Sequence, residues 1–422
     1  MRNTGYFKNK KITIIGLARS GLECANLLFS LGAQVSVTDS QDNELTRLNA
    51  RKLISKEIKV ELGKHSQDFI KARELIVISP GVPDTSPAVI WAKDLAIPVI
   101  SEIEVASILC PATIIAVTGS NGKTTVTTLI GKILKAAQKN VFVCGNIGNS
   151  FSAEVSKMQE GDFVSLEVSS FQLETIKDFK PKVSLIINFT KNHLDRYKDM
   201  QEYLQAKKRI FMNQDNSDFL ILNADCPVSK ELAKEAKANL VYFSKSKELN
   251  PNQAAVIEVG KILGIDQESS LKVFAQFSGV EHRLEYVAQI NQIKFINDSK
   301  ATTVDSAIWA LENISSPVVL IAGGKDKGLD YSEILDLARN KVKEVVLIGE
   351  ARNKIKAAFG TSLSISEAGS LDDAVSLAFK KAKAGDCVLL SPMCSSFDMF
   401  SDYEARGMAF KKAVLNLKGQ KN

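Results

Sequence analysis

Short runs of β-branched residues recur along this chain, each stopping at glycine or a polar cluster before apolar residues resume at helical spacing. The stretch KITIIGLARSGLECANLLFSLGAQVSVTDS (11–40) reads strand, glycine turn, helix, strand. ELIVIS (74–79) then runs into a second turn, Ser79 to Pro83. The alternation resumes near Ile103. There IIAVTGSNGKTT (114–125) opens a helix, and FVSLEVSSFQLE (163–174) and VSLIINFTKNHLDRY (183–197) each carry a strand into a polar loop. Strands at 219–223 and 240–243 and helices at about 252–263 and 268–276 complete this series. A third begins around Val280, with IKFIND, PVVLIAGG, EVVLIGE and DCVLLSP as its strands. Such alternation implies mostly parallel, doubly wound sheets. The expected fold is α/β in three domains: Rossmann-like (1–102), central P-loop-type ATPase (103–279) and a second Rossmann-like domain (280–422).

Composition narrows the function classes. The length, 422 residues, suits about three domains, and 45% hydrophobic with 24% charged residues is ordinary for a globular protein. No run approaches the roughly 18 apolar residues of a membrane span, so no membrane insertion is expected. The basic N-terminus enters a strand directly without a cleavage pattern, which predicts a cytoplasmic protein. Cysteines 24, 110, 144, 226, 387 and 394 form no CxxC pair and read as reduced, packed thiols. The net charge of +6 is spread along the chain, which argues against nucleic acid and suits small anionic substrates.

The GKT stretch carries the strongest chemistry. A strict Walker A loop would place glycine five residues before Gly122, where this chain has Val117 inside the strand. The physics survives, because Gly119 and Gly122 allow a turn whose N–H groups face an anion at a helix N-terminus. Lys123 offers a charge to the outer phosphates and Thr124 a hydroxyl to magnesium. In the first series Gly16 and Gly21 stand as the outer glycines of a dinucleotide turn, with Ala18 between them and Asp39 ending the next strand. A plain α/β domain whose loops bind nothing is the alternative there. Glu167 and His193 fall at strand ends, where open α/β sheets gather ligands. Singly, each has a bland reading: a solvated carboxylate, a structural histidine. EHRLE (281–285) could be a solvated charge run, His65 reads as surface, and Cys394 as a packed thiol rather than a nucleophile.

Together the motifs are more specific. TGSNGKTT, SLEVSSFQLE, NHLDRY, AKKRI, HRLE, NDSKAT and SPMCSSFD, in this order, resemble the Mur ligases of peptidoglycan precursor synthesis. Within that family SSFQL and NDSKAT look like the D-glutamate-adding branch, and the DNPR motif of the diaminopimelate- or lysine-adding branch is absent.

The resemblance implies ATP, about two magnesium ions and two substrates, UDP-N-acetylmuramoyl-L-alanine and D-glutamate, joined through an acyl phosphate by a monomeric enzyme. It implies that Gly119, Ser120, Asn121, Gly122, Lys123, Thr124 and Thr125 hold the ATP phosphates, with Asn252 on the adenine side. Arg283 and Asp298 would contact the γ-phosphate and the ribose. Thr124 and Glu167 would hold one magnesium, and His193 and a carbamylated Lys207 the other. Ala18, Arg19, Ser20, Asp39, Ser40 and Ser79 would take the UDP group, and Asn146 the muramoyl part. Thr302, Lys327, Ser396 and the backbone at Phe397 would line the D-glutamate pocket, with Lys300 close by. The catalytic candidates are thus Lys123, Glu167, His193, Lys207 and Lys300. Departures exist: Asn192 stands where the family often has aspartate, Thr303 where it often has asparagine, and 240–255 is short by a hairpin. A dinucleotide-dependent oxidoreductase would leave the GKT loop and third domain unused. A non-catalytic nucleotide-binding regulator would not need Glu167, His193 and Lys207 together.

Overall fold

The computed structural model describes residues 1–190, 196–277, 279–326 and 328–419. The chain forms two compact units, Met1–Phe277 and Ser278–Asn422.

The first unit holds two parallel sheets. One comprises β1 (Lys11–Ile15), β2 (Gln34–Asp39), β3 (Lys59–Leu62), β4 (Leu75–Ile78) and β5 (Val99–Ser101), in the order β3-β2-β1-β4-β5. The order reverses beside β1, opening a crevice at the carboxyl ends of β1 and β4. The other comprises β6 (Thr113–Thr118), β7 (Val141–Gly145), β8 (Phe163–Glu167), β9 (Val183–Ile186), β10 (Phe219–Asn223) and β11 (Asn239–Phe243). Its order, β11-β10-β9-β6-β8-β7, puts the strand leading into the GKT turn near the centre. Runs such as LIVI in β4 are buried at every position, as helices on both faces of a parallel sheet require.

A short helix, Glu102–Leu109, fastens the two sheets together. The Glu104 carboxylate accepts the backbone N–H groups of Lys177 (2.9 Å), Asp178 (2.7 Å) and Phe179 (3.0 Å). Glu102, from the same helix, accepts the Ser152 N–H at 2.6 Å. Charge-assisted bonds of this kind are about twice as strong as neutral ones.

The second unit is one sheet of β12 (Glu285–Ile290), β13 (Ile293–Asn297), β14 (Val318–Gly323), β15 (Val342–Ile348), β16 (Ile365–Glu367) and β17 (Cys387–Leu390), in the order β12-β13-β17-β14-β15-β16. β12 runs antiparallel to β13 and the other pairs are parallel. The antiparallel edge departs from the repeating alternation read in the sequence. Its residues alternate in exposure, so no continuous apolar run marks it as a strand.

Candidate active site

β6 ends in the turn Gly119–Gly122, and the helix Lys123–Ala136 follows without a side-chain cap on its first turn. Gly119 and Gly122 take positive φ, 156° and 80°, so an ordinary residue would be strained at either place. A Cβ on Gly122 would also fall 2.6 Å from the Asn252 Oδ1, which places Asn252 against this loop. The first half of the turn is braced from the loop after β9. Asn188 Oδ1 accepts the N–H groups of Ser120 and Asn121, both at 2.9 Å, and its Nδ2 donates to the Asn121 carbonyl. Thr190 exchanges two bonds with the Ser120 hydroxyl. A neighbouring loop thus supplies the rigidity that a longer phosphate loop would build for itself.

Two lysines converge on one carbonyl of this turn. Lys123 Nζ donates to the oxygens of Gly119 (2.9 Å) and Ser120 (3.0 Å), and Lys207 Nζ donates to Gly119 at 2.8 Å. Lys207 is 1% exposed. Burial, and then the Lys123 charge, hold its ammonium well below the usual range. Thr124 and Glu167 are buried, and Thr125 is half-buried. Glu167 ends β8, the strand beside β6, and its Oε1 accepts from Asn146 Nδ2 at 2.8 Å. The solvated-carboxylate reading of Glu167 is therefore excluded. His193 and Asn192 lie outside the described residues.

The residues expected to hold UDP line one cavity of about 510 Å³ in the same unit. Ala18, Arg19 and Ser20 enter it from the turn after β1, Asp39 and Ser40 from the end of β2, and Ser79 from the end of β4. Asn146 enters from the other sheet. Asp39 is already engaged, accepting the Leu17 N–H at 2.6 Å and the Gln41 N–H at 2.8 Å, so it shapes the turn. Ser79 Oγ donates to the Gly16 carbonyl at 2.9 Å. His65, expected at the surface, is half-buried and lines this cavity, with Nδ1 2.8 Å from Thr38 Oγ1. Burial lowers its pKa. A larger cavity of about 760 Å³, beside Arg196, Lys208 and Glu235, contains none of the expected residues. Arg196–Glu174 and Lys208–Glu235 pair within its lining.

In the second unit Asp298, Lys300 and Thr302 follow β13, Ser396 and Phe397 follow β17, and Arg283 precedes β12. Asp298 is buried, its Oδ1 accepting the Leu284 N–H at 3.2 Å and its Oδ2 the Ser391 hydroxyl at 2.9 Å. Burial pushes its pKa up to about 7, against those bonds and the Arg283 charge. The Arg283 guanidinium lies 5.3 Å from the Trp309 ring centroid. EHRLE is not a solvated run: His282 is buried, and Asn297 Nδ2 bonds both its Nδ1 and Glu285 Oε2 at 2.9 Å. Glu281, His282 and Glu285 form the one cluster of metal-ligand type among the described residues, but Lys411 already bridges the two carboxylates. Lys300 Nζ lies 5.6 Å from the Tyr403 ring centroid, and Thr302 N–H donates to the Lys300 carbonyl. Ser396 is buried and Phe397 exposed. The Cys394 thiol is packed, and burial pushes its pKa to about 11. Lys327 lies outside the described residues.

Comparison with known proteins fixes the family. The MurD-like N-terminal domain of Mur ligases matches residues 10–101, the Mur ligase middle domain 117–291, and the Mur ligase glutamate ligase domain 282–394. The chain belongs to the Mur ligase family. The UDP-N-acetylmuramoylalanine–D-glutamate ligase of Thermoanaerobacter pseudethanolicus is 39% identical, over 97% of this chain and 99% of the relative. That of Geotalea daltonii is 40% identical over 98% of both. A UDP-N-acetylmuramate-alanine ligase structure from Thermotoga maritima shares the fold, with TM-score 0.62 and 19% identity over 98% of this chain and 100% of that one.

Two departures of this Mur ligase from the family pattern have local explanations. Thr303 caps the helix Val304–Glu312, its side chain accepting the Ser306 N–H at 3.3 Å. In the shortened 240–255 region, Asn250 and Gln253 form a capping box that starts the helix Pro251–Ile262. Sequence reasoning missed Asn188, which follows a strand next to β6, a position that could have marked it. It also missed His65, which it placed at the surface.

Proposed function

We propose that this Mur ligase joins D-glutamate to UDP-N-acetylmuramoyl-L-alanine at the expense of ATP, in the cytoplasm and as a monomer. The reading is carried by near-full-length identity of 39–40% to ligases named for that reaction. No helix among the described residues is long and apolar enough to cross a membrane. We assign residues 1–102 to the UDP group, 103–279 to ATP and 280–422 to the amino acid.

The phosphate loop fits the part given to it. The N-cap of its helix is Gly122, which brings no side chain to the N-terminus, and a Cβ there would run into Asn252. Lys123 would hold the phosphates in line with the substrate carboxylate. Arg283 and Asp298 would orient the γ-phosphate and ribose, and Asn252 the adenine side. The hydroxyl and carboxylate of Thr124 and Glu167 suit a hard cation, as would His193 with a carbamylated Lys207. Bound magnesium would supply charge neutralisation during phosphoryl transfer. Carbamylation needs the neutral amine of Lys207, which its burial favours. The γ-phosphoryl group passes to the alanyl carboxylate, leaving ADP, and the amine of D-glutamate attacks the resulting acyl phosphate, expelling phosphate and losing a proton as the amide forms. Thr302, Lys327, Ser396, the Phe397 backbone and Lys300 would hold that amino acid. Ala18, Arg19, Ser20, Asp39, Ser40, Ser79 and Asn146 would anchor the nucleotide sugar. With no other nucleophile added, continuous ADP release should require both UDP-N-acetylmuramoyl-L-alanine and D-glutamate. Sustained release with either one omitted would refute the reading.

A further inference from the structure

Arg406, on the helix Tyr403–Gly419, is 1% exposed, and no acidic side chain among the described residues forms an ion pair with it. Burial lowers its pKa only to about 10, so it stays a cation at neutral pH. Its whole guanidinium fork is spent on two strand-end loops. Nε donates to Ser299 Oγ at 3.0 Å and Nη2 to the Ser299 carbonyl at 2.9 Å, both in the turn after β13. Nη1 donates to the carbonyls of Cys394 (3.1 Å) and Ser395 (3.3 Å), and Nη2 also to Cys394 (3.1 Å), in the loop after β17. The loop after β14 closes on the same point. A Cβ on Gly324 would fall 2.3 Å from the Ser395 oxygen and 3.1 Å from Arg406 Nη1, and Lys325 N–H donates to that oxygen at 2.9 Å.

These three loops carry Thr302, Ser396 and, in sequence, Lys327. A trans peptide points its N–H opposite to its C=O. With the carbonyls of Cys394 and Ser395 turned onto Arg406, the N–H groups of Ser395 and Ser396 face away from it. A planar cation with a fixed fork can hold several carbonyls at set spacings, and a lysine ammonium cannot.

We propose that Arg406 is a positioning residue for the amino-acid acceptor pocket, fixing the spacing of the three loops without touching the acceptor. This rests on the D-glutamate reading above. Arg406→Lys and Arg406→Met are compared with the parent enzyme in two reactions, one with D-glutamate and one with hydroxylamine, which captures an acyl phosphate without needing the pocket. The KM for D-glutamate should rise about a hundredfold in both variants. The KM for ATP and the rate of hydroxamate formation should stay at the parent's level. Ser299→Ala, which removes one acceptor from the fork, should raise the same KM about tenfold. An unchanged KM for D-glutamate, or its restoration by lysine, would overturn the proposal. So would loss of hydroxamate formation together with D-glutamate turnover, which would assign Arg406 to folding. A parent enzyme indifferent to D-glutamate would overturn the underlying reading instead.

Discussion

Lys207 and Lys123 meet at the Gly119 carbonyl, and the burial of Lys207 favours its neutral amine. If Lys207 works as a carbamate, Lys207→Ala should lose about a hundredfold or more in turnover, and a small added carboxylate should partly restore it. Stripping bicarbonate should lower the parent's activity. Full activity in Lys207→Ala would end that assignment. Asp298 gives a second test, through pH. Its folded pKa of about 7 lies above the usual carboxylate value, so the folded protein binds the extra proton. The Asp298 contribution to stability should therefore fall as pH rises from about 4 to 7, by on the order of 4 kcal/mol, and then level off. Asp298→Asn should abolish that fall. Denaturant unfolding followed through Trp309, in a Trp91→Phe background, reads it directly. Equal slopes in parent and variant would show that Asp298 ionises normally.

At the scale of elements, the helix Glu102–Leu109 joins the two sheets of the first unit through one carboxylate. Glu104→Ala should cost about 2–4 kcal/mol, because it strands N–H groups at 177–179 that include the buried one of Phe179. Glu104→Gln should fall between, since an amide oxygen accepts fewer of the three bonds. Urea unfolding of the parent and both variants checks the order, and a neutral Glu104→Ala would remove the helix from its bracing role. The central strands were legible from their composition because a fully buried parallel strand is apolar at every position, as LIVI in β4 is. The edge strand β12 was not, because its half-exposed EYVAQI looks like any polar surface segment.

For the whole molecule, the sequence told most where a site is built from consecutive residues. The GKT turn could be placed because strand, turn and helix all lie within residues 113–136. The six residues expected around UDP, and Asn146 beside them, were implied by the family resemblance, and one cavity gathers them. What stayed hidden depends on distant pairs. His65 reaches the cavity through Thr38, and Arg406 reaches Ser299 across a separation of 107 residues, which no local pattern records. The fold and the phosphate site therefore rest on local physics, while acceptor choice rests on loops brought together by the sheet. That choice is the central claim. ATP and UDP-N-acetylmuramoyl-L-alanine should be supplied with equimolar L-lysine, L-glutamate and isotopically labelled D-glutamate, and the product weighed by mass spectrometry. The product should carry the label almost exclusively; an unlabelled glutamyl or a lysyl product would contradict the account.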